Sequence, residues 1–107
     1  MNIIDTKINL SSERPQLKIG DKLYKVDNRK KTADKYDEIM NDPKILLKDK
    51  EPLAFELLLG KKEAKEILEM DLTVSEYKHL YYCLIAAMSG EDVETIKELF
   101  KNMEKNM

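Results

Sequence analysis

The residues Tyr77, Leu80, Tyr81, Leu84, Ile85 and Met88 recur at intervals of three and four, which puts them on one stripe of a helix with about 3.6 residues per turn. The stretch from Asp71 to Gly90 that holds them carries its own start and stop. Thr73 followed by Glu76 forms a capping box, in which each side chain takes the other residue's backbone N–H. Leu72 and Tyr77 flank that cap as a hydrophobic staple, and Gly90 suits the left-handed position that ends a helix. This is the organising helix.

Upstream, Gln16 to Val26 reads as a hairpin with Gly20 and Asp21 at its tip, Gly20 taking the first position of a type II′ turn. Leu17 then faces Tyr24, with Ile19 and Val26 on the same side and Lys18 and Lys25 on the other. Ile8 and Leu10 have the spacing of a short strand. A hairpin alone is marginal in water, so its apolar face must lie on the helical remainder. Thr32 is placed as the cap of a helix reaching about Asn41, with Tyr36, Ile39 and Met40 as its apolar face. Asp42-Pro43 and Glu51-Pro52 read as helix starts, and Ile45, Leu46 and Leu47 between them as a turn plugging into the core. A helix from Pro52 carries Leu53, Ala54, Leu57 and Leu58 to a stop or bend at Gly60, and another resumes from Lys61 to Met70. After Gly90 a last helix presents Val93, Ile96, Leu99, Phe100 and Met103 on one side, with acids in its first turn and lysines in its last.

The pattern predicts a mainly α fold: a small bundle of about four to five helices with a short N-terminal β-hairpin. At 107 residues the chain reads as a single domain, 1–107, with hairpin and N-terminal arm over 1–30 and a helical body over 31–107. No apolar run approaches the roughly 20 residues of a membrane span, and no signal-peptide pattern opens the chain. One cysteine makes no internal disulfide, which suits a reducing cytoplasm. The net charge of −2 conceals an uneven distribution. Residues 14–35 hold eight basic side chains against three acidic, a balance of +5, while Tyr36 onward stands at −6. A basic segment of that kind is one route to a small nucleic-acid-binding regulator.

Candidate chemistry is sparse. His79 and Cys83 stand four residues apart, a spacing that places two metal ligands or a nucleophile and base on one face. Two ligands do not complete a tetrahedral site, and no orienting group or phosphate loop accompanies them. No catalytic residue, metal or cofactor is therefore assigned, and an enzyme is not expected. The carboxylates of Glu63, Glu66 and Glu69 alternate with lysines, as on a solvated helix. Nucleic-acid recognition lacks a helix with basic residues at its N-terminal end. What remains is apolar surface. Leu57, Leu58, Tyr82, Phe100 and Met103, on the helices over 52–59 and 93–103 and on the back of the organising helix, are the candidate partner-binding residues.

Four stretches in order, Ile19 to Tyr24 (IGDKLY), Leu57 to Ala64 (LLLGKKEA), Ile67 to Tyr77 (ILEMDLTVSEY) and Leu84 to Gly90 (LIAAMSG), give the chain from Leu17 to Phe100 its overall character. In that order it resembles the tail assembly chaperones of long-tailed bacteriophages and related prophages. The resemblance implies a non-catalytic protein of the bacterial host cytoplasm, absent from the finished virion. It would coat the long, apolar, helical tape measure protein and help recruit tail tube protein around it. It also implies that a longer, frameshifted form accompanies the chain in many cases. No family motif assigns contact residues. Shielding many segments calls for many weakly binding copies, with a homo-oligomer left open.

Overall fold

A computed structural model describes residues 2–8 and 13–105, with side chains described as far as Met103 in the last helix. Its elements are β1 (Gln16–Ile19), β2 (Lys22–Lys25), α1 (Lys30–Asn41), α2 (Leu47–Leu59), α3 (Lys61–Leu68), α4 (Val74–Ser89) and α5 (Val93–Lys105). The protein is mainly helical, with an antiparallel hairpin ahead of the helices. Leu10 and the chain beyond Lys105 lie outside the described residues; Ile8 is exposed and belongs to no strand.

The hairpin pairs Leu17 with Tyr24 and Ile19 with Lys22, the expected register. Gly20 has φ +61° whereas Asp21 does not share a positive φ, which is the type II′ arrangement. Tyr24 and Val26 are buried and Leu17 and Ile19 half-buried, while Lys18, Leu23 and Lys25 are exposed. β1 lies against α4, and the Lys22 ammonium reaches both Glu66 carboxylate oxygens at 2.6 Å, tying the hairpin tip to α3.

Asp27, just past the hairpin, organises the start of α1. Its carboxylate accepts the Arg29 backbone N–H at 3.1 Å, two guanidinium hydrogen bonds from Arg29, and the Thr32 hydroxyl at 2.8 Å. Its own N–H donates to the Leu58 carbonyl at 2.9 Å. Thr32 is therefore not the cap expected from the sequence. The cap is Arg29 and the helix begins at Lys30, three residues earlier than a Thr32 cap implies, and the buried Thr32 hydroxyl is spent on Asp27.

α2 also starts early. The sequence suggests a beginning at Pro52, but the helix opens at Leu47 and carries Pro52 inside it. The proline costs only the bond to the Lys48 carbonyl, which belongs to the exposed first turn where solvent replaces it. Asp42 and Pro43 open a turn rather than a helix, with the Asp42 carboxylate accepting the Lys44 N–H at 2.9 Å. In consequence Leu46 and Leu47 do not plug the core: they are 60% and 77% exposed. Phe55, absent from the expected apolar face, is fully buried at the centre, with ring centroids 5.9 Å from Tyr77 and 6.0 Å from Tyr81. Gly60 makes the sharp bend: at φ +99° and ψ 154° it ends α2 and begins α3. The capping box at Thr73 and Glu76 and the left-handed Gly90 bound α4 as the sequence indicates.

Candidate functional site

The four helices α1, α2, α4 and α5 leave an apolar groove of about 530 Å³ between them. Its floor is built from Tyr36, Tyr81, Ile85 and Ile96, all buried. Met40, Leu47, Leu99, Phe100 and Met103 form its walls and rim. Leu47, Leu99 and Met103 are 77%, 52% and 61% exposed.

The floor contains a satisfied polar chain. The Tyr36 and Tyr81 hydroxyls are 2.8 Å apart, and the Tyr81 hydroxyl points at the Met40 sulfur, 4.0 Å away. With Tyr81 donating to sulfur, Tyr36 donates to Tyr81, so neither buried hydroxyl lacks a partner. Burial pushes both phenols above their ordinary pKa, Tyr81 furthest. The floor is thus uncharged throughout the physiological range. Lys50 closes one edge by donating to the Met40 carbonyl at 2.8 Å.

Phe100 holds α5 in place from the groove side. Its ring stacks on Tyr82 at 5.4 Å and 28°, and meets Tyr81 edge-on at 5.8 Å and 66°. Among the residues expected to bind a partner, Tyr82, Phe100 and Met103 are thereby gathered at the α4–α5 junction, Met103 on the groove rim. Leu57 is half-buried on α2 away from the groove. Leu58 is a correction: only 1% exposed, it belongs to the core, one turn from Ala54 and Phe55 on the buried face of α2. Leu47 and Leu99 are the rim residues not named as contacts from the sequence. Leu99 was visible on the apolar stripe of α5, whereas the exposure of Leu47 depends on where α2 begins.

His79 and Cys83 line a second groove, of about 740 Å³, between β1 and α4. The Cys83 sulfur lies 3.5 Å from His79 Nε2. Burial raises the Cys83 thiol pKa, opposite to what an activated nucleophile requires. Among the described residues no group of three His, Cys, Asp or Glu side chains is placed to hold a metal. Of the basic segment, Arg14 and Arg29 converge on Asp27, Lys30 pairs with Asp34 and Lys22 with Glu66. Half of its eight positive side chains are thus drawn into ion pairs. No described helix is long and apolar enough to cross a membrane. No family model matches the chain, and no curated protein or solved structure is significantly similar to it.

Proposed function

We propose that the protein is a non-catalytic tail assembly chaperone, whose four-helix groove shields an apolar helical segment of a tape measure protein. The resemblance in sequence order names the class, and one structural observation supports it: Leu47, Leu99 and Met103 stand exposed around a buried, uncharged tyrosine floor. An amphipathic helix laid in such a groove covers those side chains over an uncharged floor, with Lys50 and Glu51 at the edge to meet its polar face. Full burial of a leucine or methionine contributes roughly 1.5–3 kcal/mol. Three partly covered side chains do not far exceed the association cost of about 4–15 kcal/mol. Each groove therefore binds weakly, which suits many copies along one long partner. The ion pairing of the basic segment counts against the alternative of a nucleic-acid-binding regulator.

Co-expression with the tape measure and tail tube proteins encoded beside it tests the proposal. The expected result is a soluble complex of the three; tape measure protein that is equally insoluble with and without the chain refutes it.

A further inference from the structure

We propose that the groove between β1 and α4 takes the N-terminal arm of a second copy of this chain, residues 2–8, as a third strand beside β1. The inference concerns a different surface from the four-helix groove and stands independently of the chaperone reading.

Three observations meet here. The first is the open edge of β1. With Gly20 and Asp21 as a two-residue loop, Ile19 and Lys22 exchange hydrogen bonds, as do Leu17 and Tyr24. The Val26 N–H to Pro15 carbonyl bond of 2.9 Å continues that alternation. The backbone groups of Gln16 and Lys18 therefore face the other way, and among the described residues no backbone group bonds to them from that side. An open edge beside an apolar groove is the geometry of strand addition, with main-chain bonds for affinity and pockets for alternate side chains.

The second is the groove wall. Leu80, Cys83 and Ala87 of α4 face β1 across it, with Val93 closing one end. The third is the arm itself. Ile3, Ile4 and Ile8 are 82%, 86% and 73% exposed, so their own chain does not cover them. In an extended strand Ile4 and Ile8 fall on one face and would both enter the groove. Asp5 then falls on the opposite, outer face, the face of β1 that carries the exposed Lys18, and its charge complements that lysine. Lys7 now has φ +61°, with its N–H bonded to the Asp5 carboxylate at 3.0 Å, and strand addition releases it from that left-handed conformation.

His79, the one histidine of the chain, lines the groove and reports its occupancy through its ring NMR signals. Sedimentation equilibrium and these signals are followed together over a concentration series of the whole protein. The wild type is expected to self-associate as the His79 signals shift. An Ile4→Glu, Ile8→Glu variant, altered only at exposed positions, is expected to associate on the order of tenfold or more weakly. A synthetic peptide of residues 2–8 added to that variant restores the His79 shift. A chain that stays monomeric with static His79 signals overturns the proposal, as does association that the variant leaves unchanged. His79 signals that differ between wild type and variant while both remain monomeric overturn it too, since the arm would then occupy its own groove.

Discussion

Phe100 stacks on Tyr82 at 5.4 Å and meets Tyr81 edge-on at 5.8 Å, and these ring contacts, with the buried Ile96, turn one face of α5 onto α4. With Phe100 turned inward onto α4, Leu99 and Met103 are carried to the rim of the groove. Replacing Phe100 by Ala is expected to cost about 2–4 kcal/mol in urea unfolding, less than a fully buried aromatic because the ring is half-buried. Leu99→Glu, one residue away, is expected to change stability by no more than about 0.5 kcal/mol.

Removing the Tyr81 hydroxyl in Tyr81→Phe leaves Tyr36 without its buried partner and is expected to cost about 1–3 kcal/mol in the same measurement. The tyrosines also make the fold sensitive to alkali. Burial raises the Tyr77 phenol to about 12, with the nearby Glu51 carboxylate adding to the effect. A phenol whose folded pKa lies above its ordinary value of 10.0 adds stability below that value. The contribution is lost as pH rises through the folded value. Urea midpoints should accordingly fall between pH 10 and 12, and phenolate absorbance should lag behind that of the unfolded chain.

At the acid end the sensitive group is Asp27. Hydrogen bonds from Arg29 hold its carboxyl well below the ordinary 3.8, followed by the Thr32 contact. The stabilisation is complete above that ordinary value and is lost as pH falls through the lower, folded one. Asp27→Ala should lower neutral-pH stability by about 1–3 kcal/mol and flatten the acid limb of the stability curve. An acid limb that the substitution does not alter would assign acid sensitivity to other carboxylates.

Features set by local rules were legible in the sequence. The Thr73–Glu76 box, the Gly90 stop and the hairpin register each depend on a few neighbouring residues, and each is present as read. Features for which a competing partner or position existed were not. The Thr32 hydroxyl had a better partner in Asp27, so the helix start moved to Lys30. Pro52 resembled a first helical residue because its missing N–H is harmless there, yet an exposed first turn tolerates it inside α2. That error displaced Leu46 and Leu47 from surface to core. It also hid Leu47, one of the three exposed residues of the groove rim. Phe55 escaped notice because its burial rests on ring contacts with Tyr77 and Tyr81 of α4, more than twenty residues away, and a leucine-rich stretch offers more than one apolar face.

Gly60 offers a sharp test of the bend between α2 and α3. At φ +99° and ψ 154° it occupies a region nearly restricted to glycine, and an added Cβ would lie 2.9 Å from Glu63 Oε2. Gly60→Ala is expected to destabilise by about 1–3 kcal/mol. Because the Glu63 side chain is free to move, Gly60→Ala combined with Glu63→Ala should recover only a small part of that loss, as strain resides in the backbone.

The groove is tested most directly by a triple variant, Leu47→Glu, Leu99→Glu and Met103→Glu, compared with wild type in co-purification with the tape measure protein. All three positions are exposed, so circular dichroism and the urea midpoint should match wild type within about 0.5 kcal/mol per site. The account predicts that recovery of soluble tape measure protein with the triple variant falls at least about tenfold, the equivalent of 1.4 kcal/mol. A folded triple variant that retains the tape measure protein as well as wild type contradicts it.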